Sequence, residues 1–279
     1  GQGVSGTVEA ATPPTDDFLP SWRLAAGLTA QIPDAVYNER IKTVLLHPAG
    51  NPLGYPVIRL NSADALQLYF DDLDASVRNY AYTYQLCNAD WTPAMLSQFD
   101  FIKGYSNMRI NTYRISSGAF TRYTHYQAVL PDRNCTPSRS GNYLLKVFLD
   151  GDTSKLVFTR ALLVVDERSS LVAAIQQPYN GQFFRSHQKV QFKVSLNQQI
   201  DVVNPNQQVK VVILQNQRWD NALTHIRPTF FSRNQIEFNT EADCLLPGGK
   251  EWRWLDLRSF RYQSDRVLRA EYNRTATDI

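Results

Sequence analysis

The sequence has little of what marks metal-binding, redox or membrane-spanning proteins. Its 279 residues include three cysteines, Cys87, Cys135 and Cys244, without a Cys-x-x-Cys pair, which argues against a zinc ribbon or a thioredoxin-type site. No run reaches the roughly 18 apolar residues that a membrane-spanning helix needs, so no direct membrane insertion is expected. The formal net charge of +3 is too small to indicate nucleic-acid binding.

Catalytic motifs are also missing from the sequence. There is no GxSxG elbow, P-loop or GxGxxG, and the four histidines stand on separate segments without metal-ligand spacing. We therefore expect no catalytic residue, no cofactor and no metal site. Asp71, Asp72 and Asp74 form an oxygen-rich cluster that could hold calcium, but the spacing of an EF-hand loop is lacking, and a solvated turn is the favoured interpretation.

The cysteines allow two interpretations. A Cys87–Cys135 disulfide would fit an oxidising compartment, because a β-sandwich can bring a strand end near a distant loop. The favoured alternative is three buried or half-buried thiols, since free cysteine packs as a small hydrophobic side chain.

The composition favours an all-β protein of two domains. Aromatic residues make up 12% of the chain, and they fit the half-buried surface of a sheet. Residues 1–166 hold 14 Lys and Arg against 15 Asp and Glu, whereas residues 167–279 hold 15 against 11, so the positive excess lies in the second half. The length suits two domains.

Seven strand-like segments separated by turn signals are predicted before residue 166. Tyr80, Tyr82 and Tyr84 alternate along one of them and should share a face. Thr92–Gln98 is predicted to open a short helix, with Thr92 as the N-cap and Pro93 in the first turn. The seven segments are Ile41–His47, Ala65–Phe70, Asn79–Leu86, Met108–Ser116, Arg122–Leu130, Asn142–Leu149 and Leu156–Val165.

A second series of strands follows the short charged linker Asp166–Ser170. In Lys189–Leu196, Val190, Phe192 and Val194 should point inward. The fold class predicted is therefore two tandem immunoglobulin- or fibronectin-like β-sandwiches, with the short helical insertion in the first. The predicted division is a flexible segment at residues 1–36, a first domain at 37–166 and a second domain at 167–279. The strands predicted in this half are Leu171–Gln176, Lys189–Leu196, Gln208–Leu214, Thr229–Phe231, Gln235–Phe238 and Trp252–Arg258.

The corner that follows the tyrosine-rich strand is the most specific feature of the chain. Asn88 and Asp90 can bond their own backbone and hold a tight turn, and Trp91 adds a large apolar body. We favour a structural role for this corner over a partner-binding surface. The tyrosine stripe likewise has two interpretations, a buried core face or a row that stacks sugar rings, and the core is favoured.

A segment near the end interleaves aromatic and basic residues. Pairing of its arginines with neighbouring aromatic and acidic side chains is favoured over the stacking of nucleic-acid bases, because Asp256 and Asp265 interrupt the charge. Its candidate structural or partner-surface residues are Trp252, Arg253, Trp254, Arg258, Arg261 and Arg266.

Three separated segments resemble one family, the plug proteins of the type IX secretion system. They are Ala65–Tyr105, with its FDDL, Y-x-Y and CNADW-x-P-x-x-L elements; Tyr123–Tyr126 with Ser140–Tyr143; and Pro247–Ser259. The resemblance implies tandem β-sandwiches in the periplasm that close the opening of an outer-membrane β-barrel translocon without enzymatic activity. It implies an exported chain whose signal peptide is absent here, and we expect a monomer. The alternative is a carbohydrate-binding or surface-adhesion module.

Overall fold

The computed structural model describes residues 33–197, 200–251, 271–272 and 277–278, and this part of the protein is all-β. The strands before Asp166 are β1 (Ala35–Val36), β2 (Ile41–Pro48), β3 (Val57–Arg59), β4 (Leu66–Asp72), β5 (Tyr80–Cys87), β6 (Ile102–Gly104), β7 (Met108–Ile110), β8 (Thr112–Ile115), β9 (Thr124–Leu130), β10 (Cys135–Pro137), β11 (Gly141–Leu149) and β12 (Leu156–Val165). Those after it are β13 (Ser169–Gln176), β14 (His187–Leu196), β15 (Ile213–Gln215), β16 (Arg218–Leu223), β17 (Phe230–Ser232), β18 (Gln235–Phe238), β19 (Leu245–Pro247), β20 (Glu271–Tyr272) and β21 (Thr277–Asp278).

Two main sheets build the part before Asp166. One has the order β1-β12-β11-β5-β7, with β3 added in parallel to β12, and the other has the order β2-β4-β9-β8. The three central strands of the first sheet, β5, β11 and β12, are buried over most of their length. Near-continuous apolar runs are typical of strands that are covered on both faces.

Aromatic rings from both sheets meet in one core. Phe70 of β4 lies 5.0 Å from Tyr80 of β5 and 5.1 Å from Phe158 of β12, edge to face in both pairs. Phe70 also stacks on Tyr126 of β9, with ring centroids 5.0 Å apart. Such pairs stabilise by about 0.5–1.5 kcal/mol beyond the area that they bury. The two sheets therefore share a single hydrophobic core.

The tyrosine stripe belongs to this core. Tyr80, Tyr82 and Tyr84 are all buried, which confirms the core interpretation. The alternative of a sugar-stacking row loses its basis, because none of these three rings is open to a ligand.

The predicted strand Met108–Ser116 is two strands in the structure. Met108–Ile110 pairs with β5 in the larger sheet, whereas Thr112–Ile115 pairs with β9 in the smaller one. The chain thus crosses from one sheet to the other at Asn111. The alternation of side chains along Met108–Ser116 does not predict this crossing, because it continues unchanged from one strand to the next.

The predicted helix at Thr92–Gln98 is wrong in position. The structure instead has a single 3₁₀ turn at Gln98–Asp100, and Ser97 precedes it. The Ser97 N–H donates to the Asp100 carboxylate at 3.1 Å. Thr92 is used elsewhere, since its N–H and hydroxyl both donate to Asp90 and close the preceding turn.

The part after Asp166 has a five-stranded sheet and a hairpin. The sheet has the order β13-β14-β18-β17, with β19 also paired to β14, and β15 pairs with β16. Its core contains Phe192, Ile236 and Phe238, with Val190 and Val194 packed against them, as the alternation of Lys189–Leu196 predicts. Among the described residues, no sheet contains strands from both sides of Asp166.

The predicted strand Gln208–Leu214 is largely wrong. Gln208 ends the short helix α1 (Pro205–Gln208), and the ladder begins only at Ile213. The Gln208 side chain accepts hydrogen bonds from the N–H groups of Val203 and Asn204, both at 2.8 Å, and so holds the start of the helix. Among the described residues, none of the helices has the length and apolar character to cross a membrane.

Residues 33–36 differ from the flexible segment predicted for residues 1–36. Ala35 and Val36 pair with Thr159 and Phe158 at the edge of the larger sheet. The carboxylate of Asp34 accepts a 2.7 Å hydrogen bond from the N–H of Ala161. These contacts hold residues 34–36 against the larger sheet.

Candidate functional site

The corner after β5 is closed by its own polar side chains. The Asn88 N–H donates to the Thr92 carbonyl at 2.8 Å, and the Trp91 N–H donates to the Asn88 carbonyl at 3.0 Å. Asp90 accepts from the Thr92 hydroxyl at 2.6 Å, and the Asn88 amide donates to that hydroxyl at 3.0 Å. Asn88 and Asp90 are exposed, so they hold the turn and still face solvent.

Trp91 has an unusual backbone conformation at this corner. Its φ is +65°, in the left-handed region that bulky residues rarely adopt. The side chain is only 2% exposed, as its apolar bulk predicts. A conformation of this kind costs on the order of 1–3 kcal/mol and persists only where the surroundings hold it. The packing of the indole ring supplies that constraint.

The indole ring of Trp91 packs against a residue from the other part of the chain. Trp91 and Trp219 meet edge to face, with centroids 5.0 Å apart and an interplanar angle of 84°. Cys87, Leu144 and Ala161 complete this cluster on the outer face of the larger sheet. The corner therefore lies where the parts before and after Asp166 touch.

Hydrogen bonds reinforce this contact. The Trp219 Nε1 donates to the hydroxyl of Tyr55 at 2.8 Å, and the Gln217 amide donates to the Leu53 carbonyl at 2.6 Å. Burial raises the pKa of Tyr55, so its hydroxyl stays protonated at all physiological pH values. We call the contact formed by Leu53, Tyr55, Trp91, Gln217 and Trp219 the junction.

A cleft of ≈ 1000 Å³ opens beside the junction. The corner residues Asn88, Asp90 and Trp91 form part of one wall, and most of the remaining lining comes from Val209–Val212 and the turn Thr224–Pro228. The lining is mainly apolar, and its charged residues are Lys210, Arg227 and Asp90. A cleft of this size with a mainly apolar lining and a few charged groups has the general character of a binding site.

The acidic cluster at the end of β4, formed by Asp71, Asp72 and Asp74, is held by ion pairs and hydrogen bonds. Asp71 lies 2.6 Å from the Nδ1 of His125, and Asp74 contacts Arg78 at 2.6 Å and Arg40 at 2.9 Å. Asp72 is fully buried and accepts a 2.8 Å hydrogen bond from the Tyr80 hydroxyl. The predicted solvated turn is therefore wrong for Asp72. In the described part of the chain, no group of three His, Cys, Asp or Glu side chains has the arrangement of a metal site.

The histidines lie apart from one another, and each has its own local partner. His125 pairs with Asp71, His187 with the Ser186 hydroxyl and His225 with the Thr224 hydroxyl, while His47 contacts the carbonyl of Pro48. Only His225 lines the large cleft. The structure does not bring them together.

All three cysteines are free thiols. Cys87 packs in the junction cluster, whereas Cys135 packs in the core between the two sheets. Their separate clusters account for the absence of the disulfide that the sequence left open. Burial raises the pKa of each of these two thiols to about 12, so neither is a reactive thiolate near neutral pH.

The aromatic and basic candidates near the end, Trp252, Arg253, Trp254, Arg258, Arg261 and Arg266, lie outside the described residues. The junction residues Tyr55 and Trp219 are the ones that sequence reasoning missed. The available signal for Trp219 was a tryptophan that stands apart from the aromatic and basic segment at Trp252–Trp254, but its partner could not be predicted from local spacing.

Comparison with known proteins supports one family. Residues 41–166 match the family model described as the type 9 secretion system plug protein 1st domain, a range that contains the corner, the tyrosine stripe and the acidic cluster. A search of curated proteins found no match.

A solved structure resembles most of the chain. It is the crystal structure of a hypothetical protein from Parabacteroides merdae ATCC 43184, with a TM-score of 0.77 and 26% sequence identity. The alignment covers 90% of this chain and 62% of that protein, so the present chain spans less than two thirds of its length.

Proposed function

Because this chain belongs to the type 9 secretion system plug family through its first domain at residues 41–166, we propose that it is a periplasmic plug of the outer-membrane translocon. In this role it seals the periplasmic opening of the translocon barrel and leaves when cargo enters. The observation that carries the proposal is the family match over the residues that hold the corner and the buried aromatic core.

The physical character of the described residues supports a sealing role. A barrel wide enough for folded cargo would leak if it were open, and a rigid body can block it without chemistry. The shared aromatic core and the junction supply that rigidity. A contact surface of moderate polarity would suit a seal that forms and releases reversibly.

We infer that the fold is a tandem of immunoglobulin-like sandwiches, at residues 37–166 and 167–279. The inference is supported by the two sheets that share one core before Asp166 and by the separate sheet after it. The junction would then be the interface that keeps the two sandwiches at a fixed angle.

We also infer that the plug acts without catalysis and meets the barrel through exposed polar residues. Asn88 and Asp90 are candidates, because they are exposed and border the cleft. Trp91 positions these two residues, since its buried ring fixes the backbone of the corner. The arginines Arg253, Arg258, Arg261 and Arg266 remain predicted members of the contact surface.

Isolation of the native outer-membrane complex tests the proposal. The protein should co-purify with the barrel in its cargo-free state and be absent or displaced in the cargo-engaged state. A deletion strain should be more sensitive to large antibiotics that an intact outer membrane excludes. A barrel that never carries this protein, together with a normal permeability barrier in the deletion strain, would rule out the plug.

Charge reversal tests the arginine surface. A seal needs a broad contact, on the order of 1,000 Å² or more, so single substitutions should have small effects. The combined variant Arg253→Glu/Arg258→Glu/Arg261→Glu/Arg266→Glu should reduce co-purification strongly. A matched variant that reverses four exposed arginines elsewhere, Arg114, Arg122, Arg133 and Arg185, controls for the change in total charge. Equal loss in both variants would show that this surface is not specific.

A further inference from the structure

Strand β13 is exposed along its whole length. All eight residues from Ser169 to Gln176 are solvent-exposed, and they include Leu171 at 62%, Val172 at 73% and Ile175 at 69%. Among the described residues the strand pairs on one side, with β14, and forms the edge of its sheet. An apolar edge strand of this length is a ready template for pairing with another strand.

The register shows which backbone groups of β13 face outward. Ser169 lies opposite Leu196, and Leu196 instead directs its N–H to the Asn234 carbonyl on the far side of β14. Ile175 lies opposite Val190, whose N–H likewise donates away from β13, to Cys244. Hydrogen-bonded and non-hydrogen-bonded pairs alternate in an antiparallel ladder. Ser169, Leu171, Ala173 and Ile175 therefore point their N–H and C=O groups to the open edge.

The edge has none of the usual protection against pairing. Natural edge strands carry lysine, proline or a bulge to block association. Ser169–Gln176 contains no charged residue and no proline, and its register with β14 is continuous over all eight residues. The absence of charge also means that pairing with an identical strand places no like charges opposite each other.

We propose that β13 pairs antiparallel with the β13 of a second copy of this chain, about a two-fold axis at Ala173. This register sets Leu171 opposite Ile175 of the second copy and Ala173 opposite itself. Val172 then faces Ala174, and Ser170 faces Gln176, so apolar residues meet apolar ones and polar meet polar. A shift of the axis to Ala174 would instead place Leu171 and Val172 opposite glutamines.

A strand pair is smaller than a standard interface of ≈ 800 Å² per partner, so the dimer should be weak, with a dissociation constant in the micromolar range. This state differs from the monomer expected from the sequence. The proposal does not rest on the plug function, and the experiment below uses the purified chain alone, so its failure would leave the plug proposal intact.

Cysteine crosslinking tests the register. The three native cysteines are buried, so Ala173→Cys introduces one accessible thiol at the proposed axis. Under mild oxidation of the full 279-residue chain, Ala173→Cys should form a covalent dimer on a non-reducing gel. Ala174→Cys is the matched control. With the axis at Ala173, residue 174 of one copy lies opposite residue 172 of the other, so the two introduced cysteines are offset by two residues. Their Cα atoms are then farther apart than the ~7 Å that a disulfide tolerates.

Light scattering of the unmodified chain gives the second measurement. The average mass should rise from monomer to dimer with increasing concentration, and Ala173→Lys should keep the chain monomeric by placing two ammonium groups opposite each other. A chain that stays monomeric at millimolar concentration would overturn the proposal. So would crosslinking of Ala174→Cys that equals or exceeds that of Ala173→Cys.

Discussion

At the residue scale, Trp91 links the local sequence to the assembly of the molecule. Asn88 and Asp90 close the turn with local hydrogen bonds, and the left-handed backbone at Trp91 turns its ring inward against Trp219. The strain of that backbone and the packing of the ring oppose each other. The packing dominates, because the fully buried indole is worth more than the strain of one residue.

Trp91→Ala should lower the free energy of unfolding by about 3–5 kcal/mol, as for other large buried aromatic residues. Urea unfolding followed by circular dichroism measures the change. Met95→Ala is the matched control in the same connection, because Met95 is 99% exposed and its loss should change the stability by less than about 0.5 kcal/mol. An unchanged midpoint for Trp91→Ala would contradict the structural role of the corner.

Alkaline pH should destabilise the protein through its buried thiols. Burial raises the pKa of Cys87 and Cys135 from 9.0 to about 12, so the unfolded chain loses these protons first. Between these values the folded state binds more protons than the unfolded state, and stability therefore falls as the pH rises from about 9 towards 12. Urea midpoints across this range should fall less steeply in Cys87→Ala/Cys135→Ala. A native chain whose thiols react as fast as those of the denatured chain would refute their burial.

At the scale of single elements, β14 contains a buried lysine that its alternating pattern does not predict. Lys189 is 1% exposed, its ammonium donates to the Asn239 side chain at 2.5 Å, and it lies 4.3 Å from the centre of the Tyr179 ring. Glu241 accepts hydrogen bonds from the N–H groups of Tyr179 and Asn180, at 2.6 and 2.9 Å. These contacts hold the loop after β13 against Lys189 of β14 and against the connection between β18 and β19.

Asn239→Ala should destabilise the protein by about 1–3 kcal/mol, because it leaves the buried Lys189 ammonium without its acceptor. Adding Lys189→Met should recover most of this loss, since the second change removes the charge and keeps the apolar stem. A double-mutant cycle from urea unfolding of the four proteins gives the coupling. Additive effects of the two substitutions would show that the pair does not interact.

At the scale of the whole molecule, the junction joins two parts that share no sheet. Trp219 reaches across to Trp91 and to the hydroxyl of Tyr55, and Gln217 bonds to the backbone of Leu53. Leu214 and Ala222 pack against the same cluster, so the described contacts of the junction centre on the Trp219 ring. The junction is therefore the place where a single substitution can separate their unfolding.

Trp219→Ala should split unfolding into two transitions. Because the ring forms the centre of the junction, its removal should uncouple the cores of the two parts, which we expect to unfold together in the unmodified chain. Calorimetry checks this expectation, with Phe230→Ala as the control, since Phe230 is an exposed aromatic residue in the same part of the chain. A variant that still unfolds in one transition would show that the junction does not couple the two parts.

Elements with a local pattern could be predicted from the sequence alone. Leu156–Val165 and Gln235–Phe238 are strands with the predicted bounds, and Tyr80, Tyr82 and Tyr84 lie in the core, because alternation within one strand decides which side chains face inward. The corner residues Asn88, Asp90 and Trp91 were singled out for the same reason, since their turn closes on its own side chains.

The contacts between these elements could not be predicted from the sequence. The contact of Trp91 with Trp219, the switch between sheets at Asn111 and the burial of Asp72 and Lys189 depend on partners that the local pattern does not reveal. Short strands such as β1 and β3 hold too few residues to show a period. The free edge of β13 belongs to the same class, because the number of neighbours of a strand is a property of the sheet and not of its sequence.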